Sequence, residues 1–219
     1  MTEYEHEKEQ IEEIKKWWRD NGKSILVGAV FGIAGLIGWQ SWTQYQNSIT
    51  EAASEEFALL MKELKRGDNA AIHSRGGHIV SQLGGNGYAD AAALALAKTA
   101  YQEGDLAAAK TQLQRVIDTA GVPEIGHIAR LRLARLLLDQ QQYDEALKVV
   151  EIVAPDTYAS FYEELKGDVF LARGENDLAR TAYTQARTLA NPEIPRSQLQ
   201  IKLDDLGAAA APASAPGDN

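Results

Sequence analysis

Hydrophobic positions follow two different patterns along these 219 residues. From Ser24 to Trp42 the chain passes without one Asp, Glu, Lys, Arg or His. Within this run Ile25, Leu26, Val27, Val30, Phe31, Ile33, Leu36 and Ile37 cover every side of a helical wheel, where a core helix of a soluble domain would keep a polar face. At about 1.5 Å per residue the run covers about 28 Å, close to the hydrocarbon thickness of a bilayer. Trp17 and Trp18 precede it, and Trp39, Trp42 and Tyr45 close it, where amphipathic rings settle at the headgroup layers. The pattern predicts a transmembrane helix over 24–42. A cleavable signal would have a short basic lead and small residues after the apolar run. Here a long Glu-rich lead, Met1 to Lys23, precedes it, and Trp39, Gln40 and Trp42 follow. The expectation is an uncleaved anchor.

After Trp42 the pattern becomes amphipathic and helical. Ile49, Ala53, Phe57, Leu60 and Leu64 share one face of a helix. The stretch "NAAIHSRGGHIVSQLGGNG" reads as a less regular second helix, interrupted at Gly76-Gly77 and ended by Gly84-Gly85. Three helix-turn-helix segments follow: "ALALAKTAYQEGDLAAAKTQLQRVI", "LRLARLLLDQQQYDEALKVVEIV" and "ELKGDVFLARGENDLARTAYTQART". Aligned on their turns, they place Ala109, Ala146 and Ala179 in one position. The first interval is slightly longer and the second slightly shorter than the tetratricopeptide period of about 34 residues. The last unit resembles that pattern most fully, with Gly167, Phe170, Gly174, Ala179, Tyr183 and Ala186, and Asn191-Pro192 to end it. The middle unit has Ala134, Leu137, Tyr143, Ala146 and Val150 but Gln141 in place of the turn glycine, and the first has Ala97, Ala100, Gly104, Ala109 and Leu113. Small residues at such places let two helices approach closely. The fold class expected is all-α: a single N-terminal transmembrane helix followed by a tetratricopeptide-like helical repeat domain. The expected divisions are a cytoplasmic amphipathic segment (1–23), the span (24–42), the repeat domain (43–206) and a disordered tail (207–219) of small residues and prolines.

Charge adds orientation. Lys15, Lys16, Arg19 and Lys23 lie just before the span, and the first Lys or Arg after it is Lys62. The positive-inside rule then leaves the N-terminus in the cytoplasm and sends the repeats to the periplasm of a bacterial inner membrane. In the lead, Tyr4, Ile11, Ile14 and Trp18 form an amphipathic stripe with Asn21-Gly22 as its expected break. The net charge of -9 argues against nucleic acid, which needs a basic stripe to release counterions. With no cysteine, thiol catalysis, thiolate metal sites and disulfides are excluded. His73 and His78 do not have the i, i+4 spacing of a helical metal pair, and "RGGH" and "LGGNG" lack the strand, helix and Lys-Ser/Thr context of a phosphate loop. No nucleophile elbow or carboxylate pair is evident, so no catalytic residue, metal or cofactor is expected.

Without chemistry, the expectation is contact. First helices of such arrays line a groove that takes extended peptides or partner proteins. The groove positions map onto Leu94, Lys98 and Tyr101, then Leu131, Arg135 and Leu138, then Glu164 and Asp168, with Leu131 and Leu138 the most core-like of the set. In the span, Ser24, Gly28, Gly32 and Gly35 fall near one helix face and offer a close-approach surface for another membrane helix. The residues alone describe a membrane-tethered periplasmic interaction module, which also fits a general periplasmic scaffold or an envelope-stress adaptor.

The Glu-rich start, "DNGK" before a glycine-spaced span ending in "IGW", and the alanine-rich repeats together resemble the YfgM family, ancillary subunits of the bacterial SecYEG translocon. The resemblance covers roughly residues 1–206. It implies partners in the SecYEG translocon, the membrane-anchored periplasmic chaperone PpiD, emerging secretory polypeptides and the lipid bilayer, and a role in helping newly exported proteins.

Overall fold

The computed structural model describes residues 3–152, 155–190 and 197–210, and every element among them is an α-helix. In order they are α1 (Glu3–Arg66), α2 (Asn69–Gln82), α3 (Gly87–Glu103), α4 (Leu106–Thr119), α5 (Pro123–Asp139), α6 (Tyr143–Val150), α7 (Asp156–Ala172), α8 (Asn176–Leu189) and α9 (Ser197–Ala210). The chain divides into two units, Met1–Ala52 and Ala53–Asn219.

In the first unit one apolar helix is long enough to cross a membrane, and only 6% of its apolar window is buried. Phe31 and Leu36 are 75% and 71% exposed, and their apolar neighbours around the helix are exposed as well. An unpartnered apolar surface on all sides fits lipid, not a protein core. The break expected at Asn21-Gly22 does not occur. Asn21 donates through Nδ2 to the Trp17 carbonyl at 3.1 Å, and the Trp18 indole lies over Gly22, so the helix continues. Ile11, Ile14 and Trp18 are exposed; the Tyr4 side chain lies outside the described residues.

The second unit is built from helix pairs. Between the helices of each pair the chain reverses through one residue in the left-handed region: Gly67 (φ 72), Gly104 (φ 83), Gln141 (φ 60) and Gly174 (φ 78). The last three make the same two hydrogen bonds. Gly104, Gln141 and Gly174 donate to the carbonyls of Tyr101, Leu138 and Leu171, and the following amides donate to Ala100, Leu137 and Phe170, at 2.8–3.1 Å. This pairing satisfies the end carbonyls of each first helix. The second helices start at Asn69, Leu106, Tyr143 and Asn176, so the interval before Leu106 equals the interval after it, and the last is slightly shorter. The residues 53–82 are therefore a fourth pair on the same spacing. Gly67-Asp68 and Gly104-Asp105 mark it in sequence, and each aspartate accepts the amide three positions on.

Packing follows the same register. Ala109, Ala146 and Ala179 are all fully buried, as is the matching Ile72 to within 2%. First helices put Ala97, Ala134 and Gly167 against the second helices, and a methyl added at Gly167 would fall 2.4 Å from the Tyr183 ring. Absence of that methyl lets a whole tyrosine fill the space. At α2 the exchange is inverted. Gly76 stands where α4, α6 and α8 carry Leu113, Val150 and Tyr183, and its missing Cβ makes room for Leu96, which that Cβ would meet at 2.8 Å. The interruption expected at Gly76-Gly77 is thus corrected: α2 runs straight through, because the glycine serves close packing and not a bend. Leu60, fully buried, fills the first-helix side of that pair, a burial contributing about 1.5–3 kcal/mol.

α9 packs against α8 as the next first helix would, through Leu199, Leu203 and Leu206 against Ala179, Tyr183 and Ala186. It runs to Ala210, into the segment expected to be disordered, where "GAAA" continues the helix on alanine's high propensity. Residues 211–219, and the Asn191-Pro192 stop expected after the third unit, lie outside the described residues.

Candidate functional site: a cleft between neighbouring first helices

α3 and α5 stand side by side and enclose a cleft of about 460 Å³. α3 contributes Ala97, Lys98 and Tyr101; α5 contributes Arg132, Arg135, Leu136 and Asp139 at helical spacing; Leu113 of α4 lies at the floor. The Tyr101 hydroxyl donates to Asp139 Oδ2 at 2.7 Å and bridges the two helices. That hydrogen bond, with the carboxylate's charge behind it, raises the phenol above its usual range. One oxygen of the cleft's carboxylate is therefore engaged. Lys98, Arg132 and Arg135 have no hydrogen-bond or ion-pair partner among the described residues, and all three are exposed.

A second cleft of about 560 Å³ adjoins it and shares Lys98 and Arg132. Met61, Leu64, Ile72, Leu94 and Ala95 form its apolar part. Of the groove positions read from the sequence, Lys98, Tyr101 and Arg135 come together in the first cleft, and Leu94 joins Lys98 in the second. Leu131 and Leu138 belong to the core beneath α5, with Tyr162, Leu165 and Val150.

Glu164 and Asp168 do not join this surface. Lys202 of α9 donates through Nζ to Glu164 Oε1 at 2.7 Å and to Asp168 Oδ1 at 2.6 Å, and the Tyr183 hydroxyl donates to the same Asp168 oxygen at 2.8 Å. Burial alone would lower Lys202, but its bonds to Asp168 and Glu164 outweigh that and hold the ammonium above its ordinary value. Burial, then the bond to Asp168, pushes the Tyr183 hydroxyl up as well. Lys98, Arg135 and Asp168 occupy one register, stepping along the chain as the alanines at 109, 146 and 179 do. Where the third unit closes its junction with an internal ion pair, the first two leave theirs open and cationic. Arg132 escaped the sequence reading because the tetratricopeptide register points one position earlier, at Leu131. Its i+3, i+4 and i+7 relation to Arg135, Leu136 and Asp139 is the signal that finds it.

Ser24, Gly28, Gly32 and Gly35 lie on α1, all exposed, and a methyl added at any of the three glycines would meet nothing within 4 Å. Their spacing places them within about 80° of arc on the helix. Among the described residues no three His, Asp or Glu side chains gather as a metal site. His127 is a packing residue: its ring stacks on Tyr158 at 4.9 Å, and Nδ1 shares a 2.9 Å hydrogen bond with the Tyr162 hydroxyl.

Repeated helix pairs, shared left-handed turns and fully buried alanines in one register define the architecture, and the family model described as a tetratricopeptide repeat-like domain matches residues 15–208. The chain belongs to this family. Relatives share nearly the full length of this tetratricopeptide repeat-like chain. A protein of Escherichia coli (strain K12) named "Ancillary SecYEG translocon subunit" is 27% identical over 94% of this chain and 99% of its own. Proteins of the same name from Haemophilus influenzae (26% identical; 91% of this chain, 97% of theirs) and Neisseria gonorrhoeae (27%; 94% and 100%) are similar to the same extent. The resemblance to the YfgM family therefore holds over more than nine-tenths of the chain. No solved structure matches the chain.

Proposed function

We propose that this chain is an ancillary, non-catalytic subunit of a SecYEG translocon, anchored in the inner membrane by α1. Its N-terminus lies in the cytoplasm and its repeat domain in the periplasm. There it associates with a chaperone of the PpiD type and assists polypeptides as they emerge. The observation that carries this reading is the end-to-end likeness to three proteins of that name, spanning 97% or more of each. Two physical features support it. One-sided positive charge beside the span favours the stated orientation. An anchored repeat domain also meets nearby partners at an effective concentration of about millimolar, so weak groove contacts suffice.

Purification of the tagged chain from membranes in mild detergent tests the reading: translocon subunits should be recovered with it, and their absence overturns the assignment. Orientation is separable because the chain has no cysteine. In intact cells a membrane-impermeant maleimide admitted to the periplasm should label Lys110→Cys and spare Glu12→Cys; the reverse pattern overturns the topology.

A further inference from the structure

The α3/α5 cleft carries three cations, Lys98, Arg132 and Arg135, against one carboxylate, Asp139. Arg132 and Arg135 are one helical turn apart, and Lys98 lines the same cleft from α3. Like charges at such separations repel. Asp139, the single carboxylate there, is held by Tyr101 at one end. The equivalent junction at α7 is closed by Lys202 against Glu164 and Asp168. Carboxylates are plentiful on a chain whose net charge is -9, yet among the described residues none pairs with these three cations. Beneath them Ala97, Leu113 and Leu136 supply an apolar floor, and the adjoining cleft adds Met61, Leu64 and Leu94.

We propose that this cleft takes an extended polypeptide segment in which an acidic residue has apolar ones two positions before and after it. The side-chain carboxylate lies among Lys98, Arg132 and Arg135, and the apolar side chains on the same face of the segment rest on the floors of the two clefts. Guanidinium groups suit a carboxylate, since they present paired donors in one plane. Alternate side chains of an extended segment are about 6.6 Å apart, a reach that lets its residues enter adjoining clefts in turn. The volume of about 460 Å³ lies within the range of about 300–1,000 Å³ typical of ligand sites. This inference rests on the reading of the repeat domain as a contact module and names the chemistry it selects.

The test uses the full chain in detergent and fluorescence anisotropy with two labelled peptides, both acetylated and amidated: Gly-Leu-Ser-Asp-Ser-Leu-Gly and its neutral counterpart Gly-Leu-Ser-Asn-Ser-Leu-Gly. The Asp peptide should bind at least about fivefold tighter than the Asn peptide at low ionic strength, and the margin should shrink in about 0.5 M salt. Arg132→Glu with Arg135→Glu should abolish the preference. Lys110→Glu with Lys148→Glu, which makes the same change in net charge on exposed positions of α4 and α6, should preserve it. Equal binding of the two peptides, or equal loss in both double variants, overturns the proposal. Circular dichroism melts should match across variants, because all four positions are exposed and surface changes shift stability by about 0.5 kcal/mol or less. Translocon recovery is measured on the same preparations. Recovery without peptide preference removes the cleft assignment alone, and peptide preference without recovery removes the translocon assignment alone.

Discussion

Gln141 holds a backbone conformation that its three counterparts assign to glycine. A non-glycine residue in the left-handed region costs about 1–2 kcal/mol, and glycine gives back about 0.5–1 kcal/mol through its freer unfolded chain. Gln141→Gly should therefore raise stability by about 0.5–1 kcal/mol, read as a higher midpoint in urea unfolding; a lower midpoint would contradict the turn assignment. At His127, burial first and the nearby Arg130 second lower the imidazole's proton affinity, with Glu124 opposing. A histidine depressed in the folded state adds stability above its unfolded value near about 6.5 that is lost as pH falls through the folded value. Replacing it as His127→Phe should flatten the decline in melting temperature between about pH 7 and 5. Asp90 acts in the opposite sense: burial raises it, against the Gly121 amide and Arg115, so its folded form gains as the carboxyl protonates.

At the scale of elements, α9 is secured by charge as well as by leucines. Lys202, Glu164 and Asp168 are each between 24% and 30% exposed. Breaking a fully buried pair costs about 3–5 kcal/mol, and solvent access here reduces the expected loss for Lys202→Met to about 1–2 kcal/mol at neutral pH. The contribution is complete below the ordinary lysine range and fades as pH rises through the elevated folded value, so the difference between Lys202→Met and the parent should narrow in strong base. Urea unfolding at two pH values measures it. The helix pairs were legible because alanines at 109, 146 and 179 repeat and because Gly104 and Gly174 punctuate them. Residues 53–82 were half legible. Gly67-Asp68 repeats Gly104-Asp105, but Gly76 in mid-helix reads locally as a breaker, and only Leu96, far along the chain in α3, explains it. Helix propensity is a local quantity, whereas that glycine answers to a distant side chain. Asn21-Gly22 misled within a single helical turn, where the Trp18 indole covers Gly22 and Asn21 bonds the Trp17 carbonyl.

For the whole molecule, the sequence carries the long apolar N-terminal helix, the repeats, and three of the cleft residues, Lys98, Tyr101 and Arg135. It does not carry the isolation of Glu164 and Asp168 by Lys202, because that pairing joins positions distant in sequence across separate helices. Nor does it reveal that Tyr101 occupies Asp139. The membrane helix is testable at this scale. If the open face of Gly28 and Gly32 seats another helix, Gly28→Leu with Gly32→Leu should reduce recovery of translocon subunits severalfold at unchanged membrane content, whereas the same pair at Val27 and Phe31 should have less effect.

A solenoid grows wherever a terminal repeat presents a small-residue seat to the next. α9 covers that seat on α8 and, among the described residues, turns outward Ser197, Gln198, Asp204 and Asp205 around Ile201, while Gln200 accepts from Arg187 of α8. A second copy arriving there meets polar side chains and negative charge in place of alanines. Head-to-tail filaments need an open receptor end, and α9 occupies the seat that α8 would otherwise offer a second copy.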